Sequence, residues 1–193
     1  ALEKAYGDFY AFLDVDDWWT PNKLEKQMPL FDDDEIGLVY GNYWLENEIK
    51  NTKRIIYKKK LPTGKILDAL LKHYTVGLLT IIIRKKAFNS ISPGFCGDYN
   101  IIGDFDAVIR ISATWKLNAI QEPIAHFRLH NDNLSAGKIS SSYINEIKKW
   151  VLLMSDDLKI GASKNFYMIK DNLSYLLFLS ALNHKNLGKA VAN

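Results

Sequence analysis

The segment from Leu78 to Ile83 restricts the fold of this chain more than any other. It reads Leu-Leu-Thr-Ile-Ile-Ile and lacks the alternation of apolar and polar residues that a half-exposed strand shows. A short run of this kind is typical of a strand buried on both faces, which occurs where helices cover both sides of a sheet. We therefore expect an α/β protein in which this segment is a central strand.

Strand and helix patterns alternate before residue 130, which favours the same class. The strand patterns cover residues 9–13, 36–45, 49–58, 116–121 and 124–129, and the helical patterns cover residues 20–31, 66–74 and 103–114. Because such alternation favours crossover connections, the sheet should be mostly parallel. From Ser140 onward the apolar residues have helical spacing, which predicts a helical tail. The tail could cover a face of the sheet or present an amphipathic surface to a partner or a membrane.

The composition limits the classes of partner. With 48% hydrophobic and 24% charged residues, the chain has the composition of a globular domain. Its net charge of +3 is too small to indicate a nucleic-acid partner. The single cysteine, Cys96, excludes an internal disulfide and fits a reducing cytoplasm. No apolar run has the length of a membrane span, so we expect any membrane contact to be peripheral.

One basic cluster stands out in this nearly balanced charge distribution. It is formed by Lys53 and Arg54 together with Lys58, Lys59 and Lys60. The cluster is either a solvated strand end or a site for an anionic membrane surface or a phosphate group. The residues alone favour the first interpretation and leave the second open.

An acidic segment follows the first strand directly. Asp14, Asp16 and Asp17 come immediately after the apolar pair Phe12-Leu13. Carboxylates this close repel one another and are costly to desolvate, and a bound cation would relieve both costs. Carboxylate oxygens favour Mg²⁺ or Mn²⁺ over zinc. The alternative is an acidic turn in which Asp17 or Thr20 caps the next helix.

Several segments together resemble the family 2 glycosyltransferases, in the order that the family shows. These segments are Asp14-Val15-Asp16-Asp17-Trp18-Trp19 with the helix after it, Val39-Tyr40-Gly41, Gly94-Phe95, Gly103-Asp104-Phe105-Asp106 with Arg110, and Arg128-Leu129-His130 with Asn133-Leu134-Ser135. The resemblance implies an α/β fold of the GT-A (Rossmann-like) type. It divides the chain into a catalytic domain over residues 1–138 and a helical extension over residues 139–193.

The resemblance also implies that the chain is incomplete. In the family, a nucleotide-binding half precedes the Asp-x-Asp segment, whereas here only 13 residues precede Asp14. We therefore expect a truncated catalytic domain that is weakly active or inactive, with an uncovered sheet edge. Such an edge, or the helical tail, could form a dimer.

The family chemistry assigns a role to each candidate residue. The donor would be a nucleotide-sugar, with UDP as the expected nucleotide, and Asp14, Asp16 and Asp17 would hold Mg²⁺ or Mn²⁺ on its diphosphate. Arg128 and His130 would face the same diphosphate. The other roles are assigned to Asp104, as the base that activates the acceptor hydroxyl for an inverting attack, and to Asp106 with Arg110, as a structural ion pair.

The acceptor is expected to be a glycan or glycolipid of a bacterial cell surface, glycosylated at the cytoplasmic face of the membrane. Gly103 occupies the position of a family glutamate, which leaves the mode of acceptor binding open.

Two other hypotheses fit parts of the sequence. Asp14-Val15-Asp16 and Gly103-Asp104 also resemble the acidic sites of haloacid dehalogenase-like phosphatases, although Trp18 and Trp19 fit badly in the turn of that family. The chain could also be a non-catalytic interaction module that docks a partner.

Overall fold

The computed structural model describes residues 4–130 and 140–191, with side chains up to residue 180. The strands are β1 (Phe9–Ala11), β2 (Trp18–Trp19), β3 (Ile36–Asn47), β4 (Thr52–Ile55), β5 (Ile82–Arg84) and β6 (Lys116–Leu129). The α-helices are α1 (Lys23–Gln27), α2 (Leu67–Lys72), α3 (Lys85–Asn89), α4 (Gly103–Ser112), α5 (Ser141–Met154) and α6 (Phe166–Val191). Two 3₁₀ turns cover Met28–Phe31 and Leu78–Thr80.

The strands form one mixed sheet with the order β1-β5-β3-β6-β2, and β4 pairs with β3 outside this path. The long strands β3 and β6 are parallel, whereas the other pairings are antiparallel. The prediction of an α/β protein is therefore confirmed, but the prediction of a mostly parallel sheet is wrong. Strands β1, β4 and β5 pair antiparallel with their neighbours on one side of the parallel β3–β6 pair, and mixed sheets of this kind are common in α/β folds.

The apolar segment that begins at Leu78 is buried as predicted, but only its end is a strand. Its first half is the 3₁₀ turn, closed by hydrogen bonds from the amide and the hydroxyl of Thr80 to the Gly77 carbonyl at 2.9 and 2.7 Å. The second half enters β5, which lies between β1 and β3, and Ile83 is fully buried there. Apolar periodicity predicted the burial but could not distinguish the turn from the strand.

Strand β6 is continuous where the sequence predicted two strands separated at Pro123. The parallel register with β3 shifts between Gly41 and Asn42, and Asn42 lies opposite Pro123. Because proline has no amide hydrogen to donate, an irregular register is the place where a strand tolerates it.

The C-terminal helices pack on the same hydrophobic core as the sheet. Trp150 of α5 is fully buried and its ring contacts Phe105 of α4 and Phe166 of α6, with centroid distances of 4.9 and 6.0 Å. The predicted helical tail is therefore confirmed, and it packs against α2 and α4. The predicted domain boundary after residue 138 lies outside the described residues.

The outer side of these helices carries apolar side chains. Five of them are more than half exposed: Leu152, Leu153, Tyr167, Tyr175 and Phe178. None of the helices in the described ranges is long and apolar enough to cross a membrane.

Candidate active site

The acidic segment forms a turn that connects β1 and β2, the two outer strands of the sheet. The turn lies at the edge of the sheet where β6 ends. The Asp17 amide donates a hydrogen bond of 3.2 Å to the Asp14 carbonyl, and Val15 is fully exposed at the tip of the turn. Asp14 is exposed, Asp16 is partly buried and Asp17 is buried. The three carboxylates therefore have different surroundings although they are neighbours in sequence.

The Asp17 carboxylate joins the acidic turn to the end of β6. Its Oδ1 accepts a hydrogen bond of 2.9 Å from the Arg128 amide. Burial raises the pKa of Asp17 to about 6 in spite of this hydrogen bond, and the charges of Asp16 and Asp14 raise it further. Helix α1 instead has Asn22 at its N-cap, with no side-chain capping bond in the described chain, so the capping role considered for Asp17 or Thr20 is wrong.

Asp16 and His130 meet although 114 residues separate them in sequence. Asp16 Oδ2 and His130 Nε2 lie 2.9 Å apart. The hydrogen bond to His130 lowers the pKa of Asp16, and the charge of Arg128 acts in the same direction. Asp16 is therefore ionised at neutral pH, as a metal ligand must be.

Arg128 extends from β6 beside the same turn. Its Nε lies 2.7 Å from Glu48 Oε1, and the Arg128 side chain remains 43% exposed. The structure thus brings Asp14, Asp16, Asp17, Arg128 and His130 to one edge of the sheet. The predicted segment Asn133-Leu134-Ser135 lies outside the described residues.

Two tryptophans flank this edge and differ in exposure. The Trp18 ring is 40% exposed and stacks on His126, with a centroid distance of 4.9 Å and an interplanar angle of 13°. Trp19 points inward and donates from Nε1 to the Leu79 carbonyl at 2.8 Å. Trp18 is therefore the indole that a bound sugar or base can reach.

Asp104 lies in the first turn of α4, as predicted. Burial raises the pKa of its carboxyl, although hydrogen bonds from the amides of Asp104 and Phe105 act in the opposite direction. The charge of Asp14 also raises this pKa, so the acidic turn is near the start of α4. A raised pKa makes Asp104 a stronger base than an exposed aspartate.

A side chain that the sequence analysis missed holds the segment before Asp104. Both carboxylate oxygens of Glu146, on α5, accept hydrogen bonds from the amides of Asn100, Ile101 and Ile102, at distances of 3.0, 2.9 and 3.1 Å. The Glu146 carboxylate thereby satisfies three backbone donors at the start of α4. No local pattern predicts this contact, because more than 40 residues separate its partners.

The predicted ion pair of Asp106 and Arg110 is confirmed. Arg110 Nε donates to both carboxylate oxygens of Asp106 at 3.0 and 3.1 Å, and Asp106 is 1% exposed. Arg110 also donates to the carbonyls of Pro93 and Gly94, both at 2.7 Å. Trp150 Nε1 completes the network with a 3.0 Å bond to Asp106. These buried contacts fix the helix that carries Asp104.

The acidic turn fits a divalent cation through two of its three carboxylates. Among the described residues, no group of three His, Cys, Asp or Glu side chains is arranged to hold a metal ion. Mg²⁺, however, is commonly held by one or two carboxylates together with substrate phosphates. Asp14 and Asp16 are accessible enough for that role, whereas Asp17 is buried and already accepts a backbone hydrogen bond.

Comparisons with known proteins agree with this geometry. Residues 1–91 match the family model described as "Glycosyl transferase family 2". The chain is 31% identical over 169 residues to the Escherichia coli protein "UDP-Glc:alpha-D-GlcNAc-diphosphoundecaprenol beta-1,3-glucosyltransferase WfgD", covering 88% of this chain and 62% of that protein. It is 27% identical over 139 residues to the "Putative teichuronic acid biosynthesis glycosyltransferase TuaG" of Bacillus subtilis, covering 72% of this chain and 53% of that protein.

A solved structure shows the same fold. It is the "Crystal structure of S. aureus TarS 1-349 in complex with UDP-GlcNAc", with a TM-score of 0.58 and 13% sequence identity, and the match covers 84% of this chain and 47% of that one. The architecture is therefore that of a GT-A glycosyltransferase. The sequence matches support the identification of the chain as a family 2 glycosyltransferase over that of a haloacid dehalogenase-like phosphatase.

Proposed function

We propose that the protein transfers a sugar from a UDP-sugar to a lipid-linked glycan acceptor. The reaction inverts the anomeric centre and uses a divalent metal. Its product would enter a bacterial cell-surface glycan. The observation that carries this proposal is that the acidic turn, where Asp16 pairs with His130, lies close enough to the half-buried Asp104 for the charge of Asp14 to raise its pKa. The printed activity of the WfgD relative supports the classes of donor and acceptor.

On the donor side, Asp16 and Asp14 would hold Mg²⁺ or Mn²⁺. When bound, such a metal neutralises the charge that develops on the leaving diphosphate. Arg128 and His130 would donate hydrogen bonds to the same group. Asp17 has a positioning role, because its bond to the Arg128 amide holds the turn against β6.

On the acceptor side, Asp104 would take the proton of the attacking hydroxyl. An alcohol is a weak nucleophile at neutral pH unless a base removes this proton during the attack. Attack from the face opposite the leaving diphosphate inverts the anomeric centre.

The exposed apolar side chains of α5 and α6 favour a further role for the helical tail. Leu152 and Leu153 are adjacent on α5, Phe178 lies on α6, and each of the three is about 60% exposed. We propose that this surface makes a peripheral contact with the cytoplasmic face of the membrane or with a second copy of the chain. As a pure interaction module, the chain would keep this contact but bind no donor.

Product formation tests the proposed function. The chain is incubated with Mn²⁺, one of several UDP-sugars and a water-soluble acceptor in which GlcNAc is joined through a diphosphate to an undecyl chain. We expect a disaccharide product with a new β-linkage from an α-linked donor, detected by mass spectrometry and NMR. The product should no longer form when EDTA is added. A product with retained configuration, or equal product in EDTA, would contradict the proposal.

A further inference from the structure

A cavity of about 560 Å³ lies beside β4 and α2. The segment that follows β4 forms one wall, and the end of α2 with the residues after it forms the other. We call it the basic cavity, because its lining includes Arg54, Lys58, Lys59, Lys60 and His73. Its volume is in the range of sites for small molecules.

The charges of the basic cavity have no counterpart in the protein. Among the described residues, none of those that line the cavity is acidic. In the described part of the chain, Arg54 and the three lysines form no ion pair with a carboxylate. The neighbouring Lys53, in contrast, has its Nζ 2.8 Å from Glu46 Oε1. Like charges gathered in a concave site attract an anion.

A buried hydroxyl gives a second, independent indication of a ligand. Thr75 lines the cavity and is only 7% exposed, and its Oγ1 makes no short hydrogen bond in the described part of the chain, although it interacts with the Tyr40 hydroxyl. A buried hydroxyl that is poorly paired destabilises the empty site. A ligand with an acceptor oxygen would remove that destabilisation.

The cavity adjoins the candidate base. Tyr74 lies between the cavity residues His73 and Thr75, and its ring packs on Phe105 with a centroid distance of 5.1 Å. Phe105 follows Asp104 directly in α4. Tyr74 thus links the wall of the cavity to the start of α4, and the charge of Asp104 acts on its hydroxyl.

The remaining lining suits an alkyl chain. Ile55, Ile56, Leu61, Pro62 and Ala69 contribute apolar surface to the same cavity. A group with several negative charges joined to an apolar chain matches both parts of this lining. Free phosphate matches only the charged part.

We propose that the basic cavity binds the diphosphate that joins the acceptor sugar to its lipid. This inference rests on the proposed function, because it assumes a lipid-linked acceptor. The acceptor sugar would then lie between the cavity and Asp104, with its hydroxyl at the base. The family has a glutamate at the position of Gly103, and this chain lacks its carboxylate. The basic cavity would supply acceptor contacts in its place.

Calorimetric titration with the GlcNAc-diphosphate-undecyl compound tests the inference. We expect binding to weaken about tenfold in the double variant Lys58→Gln/Lys59→Gln, because each lysine supplies a charge-assisted contact. Lys86→Gln/Lys148→Gln removes the same charge from exposed positions elsewhere and should leave affinity unchanged. Thr75→Val should weaken binding severalfold and leave the fold intact, since the Tyr40 hydroxyl beside it keeps its 2.7 Å hydrogen bond to the Pro62 carbonyl.

Three further titrants distinguish the sources of negative charge. Undecyl GlcNAc without the diphosphate should not respond to the lysine substitutions, and UDP with Mn²⁺ should bind the lysine variant as well as the original protein. Vesicles of phosphatidylglycerol without the diphosphate compound should bind both lysine variants equally. The inference is overturned if UDP loses affinity in parallel, or if the lysine pair controls binding to the vesicles but not to the diphosphate compound.

The outcomes for the two proposals are separable. If the diphosphate compound binds through Lys58 and Lys59 while UDP with Mn²⁺ does not bind at all, the cavity assignment stands and the transferase proposal fails. If UDP binds through Asp16 and the lysine variants bind the diphosphate compound normally, only the cavity assignment fails.

Discussion

Two regions of the candidate site are held in place by different kinds of contact. One is the acidic turn, residues 14–17. The other is the start of α4 with the Asp106–Arg110 pair, which we call the Asp104 corner. At the acidic turn, partly exposed side chains pair with one another, as Asp16 does with His130 and Arg128 does with Glu48. At the Asp104 corner, the Asp106–Arg110 pair is buried and bonded to a buried tryptophan.

This difference suggests a division of labour. Exposed ion pairs contribute little to stability and can exchange partners with an incoming diphosphate at small cost. A buried pair is costly to break, because the charge that remains is neither paired nor hydrated. The donor side can therefore rearrange when a nucleotide-sugar binds, whereas the base is preorganised before the acceptor arrives.

The largest effect should come from removing the base. Asp104→Asn keeps the size of the side chain and should lower turnover by about 10²–10⁴-fold, the usual contribution of a general base. UDP affinity should not change, because the donor side does not depend on this carboxylate. Turnover and UDP binding are measured on the same preparation. A parallel loss of both would mean that the two regions are not independent.

The next effect concerns the stability of the Asp104 corner. Asp106→Asn leaves the Arg110 charge without its carboxylate and should lower the free energy of unfolding by about 3 kcal/mol. Asp98→Asn is the matched control, because Asp98 pairs with Lys149 on the surface, and it should change stability far less. Urea unfolding measures both. Equal effects would remove the distinction between buried and exposed pairs.

Lys23 is an exception to the contrast between the two regions. It lies next to Trp19 on the donor side, but it is a buried basic group rather than part of an exposed ion pair. It is 1% exposed, its Nζ lies 4.3 Å from the Trp19 ring centroid, and Nζ has no hydrogen-bond partner in the described residues. Burial lowers the pKa of Lys23 from 10.5 to about 7. Between these values the unfolded chain binds a proton that the folded chain does not, so stability should rise with pH from about 7 to about 10.

Lys23→Met should remove this rise and stabilise the protein by about 1–3 kcal/mol at pH 7. Lys86→Met, at an exposed position, is the control and should leave the pH dependence as it was. Urea unfolding at a series of pH values between 6.5 and about 9.5 covers the lower part of this window. A slope that survives Lys23→Met would show that another group causes it.

The smallest expected effect is the loss of the Glu146 contact. Glu146→Gln keeps an acceptor oxygen but loses the charge, which should cost about 1–2 kcal/mol. Hydrogen exchange should accelerate at the amides of Asn100, Ile101 and Ile102. Glu25→Gln, on the exposed side of α1, is the control and should not change exchange at these amides. Unchanged exchange in Glu146→Gln would mean that α5 does not hold the segment before Asp104.

The sequence predicted the local features of both regions. Asp106 and Arg110 are four residues apart, a spacing that places two side chains on the same face of a helix. The position of Asp104 at the start of α4 followed from a similar local pattern. These features depend on neighbours within a turn or two of the chain.

Contacts between distant segments could not be predicted in this way. The antiparallel direction of β5, the bond of Asp17 to the Arg128 amide and the contact of Glu146 with residues 100–102 all depend on tertiary packing. The basic cluster was visible in the sequence, but its cavity was not, because His73 and Thr75 come from a different element.

Binding of UDP in the presence of Mn²⁺ tests the central claim most directly. Trp18 is exposed beside the acidic turn and should report this binding by a change in fluorescence. We predict a UDP response that requires Mn²⁺ and that Asp16→Asn weakens at least about tenfold, whereas the matched surface variant Asp32→Asn retains it. A UDP response that persists in EDTA and is unchanged in Asp16→Asn would contradict the account.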